Sequence, residues 1–330
     1  MTPVAPEAVA IAEAAGAHVH VLLERIEERL GEVAASHGPD LAGHAGATIA
    51  AGGKRLRPLL VLVAAGRPDG DGEGLVRAGC AVELVHSATL VHDDVLDAAA
   101  LRRGRPTVVA AAGREAATAT GDLLFAAAFR ELVANGSAAQ VRALSHAGSA
   151  LAEGELLQRA DAWDARVSVA RYLHRCELKT ARLFEAACAL GVLEGAGTED
   201  DPRVVALAAF GRRIGLAFQL LDDVLDVSGP AERTGKHRGT DLLDGTVTLP
   251  FILARAEDPA LAALDPRAIT TPAEAEKVCD AIAATSALDR SRTRALEMVA
   301  KAKADLPPDL PDGQRHALDL IADGVVSRYA

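Results

Sequence analysis

The sequence predicts an all-α fold, a single large helical bundle around a central cavity. Two features of composition and one of pattern predict it. Alanine dominates a chain that is only 3% aromatic. Alanine is the strongest helix former, and the β-branched and aromatic runs that favour strands are scarce. Apolar residues recur at helical spacing through most of the 330 residues. Hydrophobic residues make up 50% and charged residues 25%, enough apolar material for one large core. No composition shift marks a linker and no fixed-period repeat stands out. Residues 1–330 therefore read as one domain.

Taken in order, residues 5–35 show helical periodicity with Glu24, Arg25, Glu27, Glu28 and Arg29 on one side. A loop follows at Gly38-Pro39-Asp40. The segment Gly52-Gly53-Lys54-Arg55-Leu56-Arg57-Pro58 runs into the apolar stretch LLVLVAAG, and PDGDGEG at 68–74 is a turn-rich break. Residues 75–99 read as one long buried helix ending in acids, and LRRGRP at 101–106 as a basic loop. Helical patterns follow at 107–134, 137–160, 168–191 and 202–228. Residues 228–245 form a polar, glycine-bearing loop. TLP at 248–250 opens another helix, and 251–330 is helical with Asp/Pro breaks.

The formal net charge is -11, from 35 basic and 46 acidic residues. That disfavours general nucleic-acid binding, which needs a basic footprint. It leaves an anionic substrate open, because a local basic cluster overrides the global sign. Cys80, Cys176, Cys188 and Cys279 lack CxxC spacing, and no histidines stand at zinc-finger spacing. They read as buried apolar residues in a reducing cytoplasm. The N-terminus has no basic region before an apolar core, and no uninterrupted apolar run reaches the ~18 residues of a spanning helix. A soluble cytoplasmic protein without a transmembrane segment is expected.

The most informative segment is Glu83-Leu-Val-His86-Ser-Ala-Thr-Leu-Val-His92-Asp93-Asp94-Val-Leu-Asp97. Acids at i, i+1 and i+4 of a helix lie at about 0°, 100° and 40°, so Asp93, Asp94 and Asp97 crowd one face. His86, nearly two turns earlier, shares it. Three like charges this close need compensation. The flanking residues are apolar, so the acids should point into an interior space. Hard oxygen ligands of this kind suit magnesium, which keeps several waters and bridges to substrate phosphates. The pattern recurs as Gln219-Leu-Leu-Asp222-Asp223-Val-Leu-Asp226 in another apolar helix. Two such faces opposed across a cavity would hold several magnesium ions around a diphosphate and assist its departure. A lone motif of this kind is more often a solvated face. Two copies, each on an apolar helix with basic residues nearby, favour the metal reading.

Basic residues accompany both motifs. Lys54, Arg55 and Arg57 follow paired glycines that allow close backbone approach. Arg102 and Arg103 lie just past the first acidic helix, Lys179 falls in ELKTARLF, and Lys236 follows the second motif in TGKHRG. Any one of them alone is better explained as a solvated surface charge. Their association with the acids is what points to phosphate, gripped bidentately by arginine and as a point charge by lysine.

With these residues in hand, the chain closely resembles the polyprenyl synthetase family, the trans-isoprenyl diphosphate synthases. The resemblance rests on GGKRLRP (52–58), HDDVLD (92–97), RRGRPT (102–107), GDLLF (121–125), KTA (179–181), FQLLDDVLD (218–226), TGK (234–236), DL (241–242) and TLP (248–250). It implies the isoprenoid synthase fold and magnesium-dependent head-to-tail condensation of isopentenyl diphosphate with an allylic diphosphate, catalysed by a homodimer. By the same resemblance Asp93, Asp94, Asp97, Asp222, Asp223 and Asp226 are magnesium ligands. Arg102, Lys179 and Lys236 contact the allylic diphosphate. Lys54, Arg57, His86 and Arg103 form the isopentenyl diphosphate site, and Thr180 and Gln219 are polar groups near the developing carbocation. Thr246 stands where many members have lysine, which removes one cation near the allylic diphosphate.

Bulky aromatics shortly before the first acid motif act as a floor in short-chain members. Here Ala88 and Thr89 occupy those positions, so the floor is open and a product of geranylgeranyl length or longer is expected, with hexaprenyl to decaprenyl favoured. Phe129 is a candidate deeper floor, weighed against an ordinary core role. Two alternatives compete. A class I terpene cyclase carries Asn or Asp, Ser or Thr, then Glu in its second motif, whereas this second motif is aspartate-only and Pro230 stands where that Glu would fall. A non-catalytic partner subunit generally lacks acids that are all present here.

Overall fold

The structure is a computed structural model that describes residues 6–36, 38–50, 55–68, 70–102, 104–196, 198–229 and 238–327. The chain packs as two compact units. The first comprises Met1–Gly148, Leu183–Gly211 and Asp305–Ile321; the second comprises Ser149–Arg182, Arg212–Ala304 and Ala322–Ala330.

In the first unit the helices are α1 (Pro6–Ala15), α2 (Ala17–Ala35), α3 (Pro39–Ala50), α4 (Leu56–Ala65), α5 (Glu73–Leu96) and α6 (Val108–Ala134). The single helix expected over 5–35 is two. Gly16 takes φ 116, a conformation that interrupts helix, between α1 and α2. α5 is the core element. Its Leu75, Val82, Leu84, Val85, Ala88 and Val91 are all buried, and it packs against α2, α4 and α6. A helix apolar on nearly every side belongs inside a protein. Thr107 caps α6, its hydroxyl accepting from the Ala110 amide at 3.1 Å. Gly113, at φ 85, breaks the regular helix inside it.

The basic loop expected at 101–106 is instead a tight hairpin. β1 (Leu101–Arg102) pairs antiparallel with β2 (Arg105–Pro106), with Gly104 at φ 74 between them. Two-residue strands are too short for the alternation that marks a strand in sequence.

α7 (Ala138–Ala160) begins in the first unit and continues into the second. The helix expected over 168–191 is three segments: α8 (Val169–Cys176), one turn of π-helix (Glu177–Ala181) and α9 (Arg182–Ala196). α10 (Pro202–Ser228) follows. In the expected loop 228–245, residues 230–237 lie outside the described residues and Thr240–Leu243 form a short helix, α11. TLP opens α12 (Leu249–Glu257), with Pro250 in the first turn, where its missing N–H costs no helical bond. α13 (Pro259–Ala263), α14 (Pro272–Ala283), α15 (Ala287–Ala304) and α16 (Asp312–Ser327) complete the chain. α14 starts with a capping box between Thr271 and Glu274, and α12 packs on α15.

All four cysteines are buried and free of disulfides. By length and hydropathy alone α5 and α10 could cross a membrane. The apolar window of α5 is 72% buried inside the protein and that of α10 44%, and each helix carries an aspartate motif in its last turns.

Candidate active site

The first acid motif ends α5. The backbone of Asp97 is still helical, at φ -88 and ψ -2, and its amide bonds the Asp93 carbonyl at 2.8 Å. The acids meet different surroundings. Asp94 is 5% exposed, whereas Asp93 is half-buried and Asp97 exposed. Arg102, carried back by the hairpin, donates Nε to Asp94 Oδ1 at 2.8 Å and brings Nη2 within 2.7 Å of the same oxygen. The cation assigned to substrate thus compensates a buried carboxylate, the least costly way to keep that charge inside.

His86, half-buried, lies two turns before the acids. Thr89 donates its hydroxyl to the His86 carbonyl at 2.8 Å and is half-buried, whereas Ala88 is fully buried. Phe129 is half-buried on α6. His92 accounts for the GDLLF motif. Its ring stacks on Phe125 at 5.9 Å between centroids and stands 3.4 Å from the Asp122 carboxylate. A Cβ at Gly121 would lie 2.2 Å from His92 Nε2, so the glycine leaves room for the ring in this position.

The two described arginines of GGKRLRP divide in role. Arg55, with left-handed backbone at φ 47, donates to Glu83 at 2.7 Å and to Glu27. These ion pairs tie α2, α4 and α5 together. Arg57 lies over the Phe184 ring at 4.5 Å, a cation–π contact. Lys54, Arg103 and Lys236 lie outside the described residues.

The second motif sits in the last turns of α10. Here the structure joins the predicted residues into one chain of hydrogen bonds. Thr180 Oγ1 donates to Gln219 Oε1 at 2.8 Å, and Gln219 Nε2 donates to Asp223 Oδ1 at 2.7 Å. The Tyr172 hydroxyl donates to the other oxygen, Asp223 Oδ2, at 2.6 Å. Asp223 is 3% exposed, Asp226 half-buried and Asp222 exposed. Asp241 is a fourth carboxylate in this group. Its amide donates to Asp226 Oδ2 at 3.3 Å, and its own charge bears on both Asp223 and Asp226. Burial first, and the Asp241 charge second, push the carboxyls of Asp223 and Asp226 well above the usual range. Thr246 donates its amide to the Asp241 carbonyl at 2.8 Å.

Lys179 and Thr180 lie on the π-helical turn, an irregularity that recurs at functional sites. Lys179 contacts the Glu155 carboxylate. Burial alone would raise the Glu155 carboxyl, but the charge and hydrogen bond of Lys179, helped by Arg159, outweigh it and hold the group below its ordinary value.

The donor set fits a hard divalent cation. It is made of carboxylate oxygens, and the charge of Asp241 bears on both Asp223 and Asp226. Among the described residues no group of three or more His, Cys, Asp or Glu side chains converges to hold an ion alone. Magnesium commonly takes one or two carboxylates and completes its shell with water and substrate phosphate.

Tyr172, Asp241 and Glu155 are the site residues that sequence reading missed. Asp241 lies in the matching DL segment, so its signal was present but carried no role. Tyr172 and Glu155 show no local pattern that separates them from other helix residues.

Known proteins resemble this chain over most of its length. The polyprenyl synthetase family matches residues 40–285. A heptaprenyl diphosphate synthase component 2 from Geobacillus stearothermophilus is 39% identical over 272 residues, covering 82% of this chain and 84% of that protein. The octaprenyl diphosphate synthase of Escherichia coli is 37% identical over 290 residues, covering 85% and 87%. A crystal structure of a polyprenyl synthase from Caulobacter crescentus, complexed with calcium and isoprenyl diphosphate, superposes with a TM-score of 0.84 at 38% identity, covering 98% of each chain. The all-α fold, the two acid motifs and these likenesses converge on one conclusion: the chain belongs to the polyprenyl synthetase family and is a prenyltransferase.

Proposed function

We propose that this chain condenses isopentenyl diphosphate head to tail with an allylic diphosphate, using magnesium, and releases pyrophosphate. The product is a trans-polyprenyl diphosphate of geranylgeranyl length or longer. The observation that carries the proposal is the continuous chain Thr180–Gln219–Asp223–Tyr172. It links a polar group suited to a developing cation with a carboxylate suited to a metal–diphosphate complex. The bound calcium and isoprenyl diphosphate of the Caulobacter protein support both substrate and metal class. The family match draws on segments of both compact units, which supports residues 1–330 acting as one catalytic domain.

When bound, magnesium supplies positive charge to the leaving diphosphate. The protein's own residues do the rest. Asp93, Asp94, Asp97, Asp222, Asp223 and Asp226 would hold the metal that carries the diphosphate. Arg102, Lys179 and Lys236 hold the allylic diphosphate while its C–O bond breaks. Lys54, Arg57, His86 and Arg103 hold isopentenyl diphosphate so that its double bond meets the allylic carbon. The Thr180 hydroxyl and the Gln219 carbonyl present fixed dipoles to the resulting cation. The departing pyrophosphate is the base that takes the final proton.

A cytoplasmic homodimer is the proposed form. The name component 2 of the Geobacillus relative favours one other reading, a subunit that needs a partner. Pyrophosphate release by the purified chain alone separates the two. Release that depends on magnesium and falls to background in D223N supports the proposal. No release from the chain alone, with release restored by a partner subunit, supports the second reading.

A further inference from the structure

Glu155 stands against the cation assigned to the substrate. Its carboxylate is in direct hydrogen-bond contact with the Lys179 ammonium, and Arg159, one turn further along α7, donates Nε to the same side chain at 2.7 Å. The side chains of Glu155 and Lys179 are 15% and 25% exposed, so water screens the pair only in part. The approach is built into the backbone. A Cβ on Gly154 would lie 2.5 Å from the Lys179 amide nitrogen, so glycine lets α7 rest directly on the π-helical turn.

Two effects of this contact oppose each other in diphosphate binding. Fixing a long lysine side chain in advance removes part of its ordering cost, which favours binding by a factor of several. A carboxylate beside the same ammonium also repels a diphosphate. At an effective dielectric of about 20, a unit charge some 5 Å away outweighs the ordering gain. The net effect is attenuation. Repeated elongation gives attenuation a use, because pyrophosphate must leave this cation after every condensation.

We propose that Glu155 is a positioning residue that weakens the hold of Lys179 on diphosphate, so that pyrophosphate leaves between rounds of chain elongation. The proposal rests on reading Lys179 as a contact to the allylic diphosphate.

The test is inhibition by inorganic pyrophosphate, at fixed magnesium, in the wild type, E155Q, E155D, K179A and the E155Q/K179A double variant. E155Q keeps the shape and an acceptor for Lys179 but loses the charge. It should bind pyrophosphate about tenfold more tightly, with a lower steady-state kcat and an undiminished single-turnover rate. E155D, which keeps the charge, should restore wild-type inhibition. K179A should weaken inhibition, and the double variant should bind pyrophosphate more tightly than K179A, because the carboxylate repels diphosphate with or without the lysine. Unchanged or weaker inhibition in E155Q, while K179A does weaken it, overturns the role of Glu155 alone. Inhibition unaffected by K179A overturns the assignment of Lys179 and the proposal with it.

Discussion

The Tyr172 hydroxyl donates to Asp223 Oδ2 at 2.6 Å inside the protein, so α8 fixes one carboxylate of the acid motif on α10. Burial first, and the Asp223 charge second, push the Tyr172 phenol well above its usual range, so it stays a donor at every working pH.

Replacing Tyr172 with Phe leaves the ring and removes the donor. Asp223 keeps only the Gln219 amide, and the chain to Thr180 loosens. We expect kcat to fall by between about tenfold and a hundredfold, as for small misplacements of catalytic groups. Loss of one hydrogen bond to a buried carboxylate should cost about 1–3 kcal/mol. Steady-state kinetics and denaturant unfolding of Y172F check both figures. An unchanged kcat would remove Tyr172 from the site.

The raised carboxyls of Asp223 and Asp226 set a pH dependence for the metal-free protein. A group whose folded pKa lies above its unfolded value contributes stability at low pH and loses it as pH rises through the folded value. Here the window runs from about 4, the ordinary carboxylate value, to about 8 in the folded protein. In EDTA, the melting temperature should therefore fall between about pH 5 and 8 and level off above that. D241N removes the second cause of both shifts and should make that fall shallower. A melting temperature that rises over this range would contradict the assignment.

Much of this site was legible in the sequence. The i, i+1, i+4 acids on apolar helices marked α5 and α10, because helical geometry alone brings such residues together. The family resemblance sets Thr180 and Gln219 near the developing carbocation, and in the structure the two are hydrogen-bonded at 2.8 Å. What stayed hidden depends on contacts distant in sequence. Tyr172 meets Asp223, and Glu155 meets Lys179, across different helices, with no local pattern to announce either pair. The π-helical turn was equally invisible, because one residue of extra hydrogen-bond register leaves the apolar spacing of 168–191 nearly unchanged.

Two glycines of α7 should respond oppositely to alanine. A Cβ at Gly148 meets nothing within 4 Å, so G148A should stabilise the protein by about 0.5–1 kcal/mol through helix propensity. A Cβ at Gly154 would press on the Lys179 backbone at 2.5 Å, so G154A should destabilise by about 1–3 kcal/mol and displace Lys179. Denaturant unfolding of both variants gives the signs, and equal signs would contradict the packing described for α7.

Product length should respond at Thr89. Ala88 is fully buried, so an aromatic there would overpack the core, whereas Thr89 is half-buried and has room to change. T89F should shorten the products with little effect on the rate of the first condensation. If F129A leaves the product distribution unchanged, Phe129 is ordinary core.

The central claim is tested most directly by incubating the purified chain with magnesium, isopentenyl diphosphate and farnesyl diphosphate, then sizing the dephosphorylated products by mass spectrometry. The account predicts a ladder of prenyl alcohols separated by C5 units and ending beyond geranylgeranyl. No elongation from farnesyl, geranyl or dimethylallyl diphosphate would contradict it.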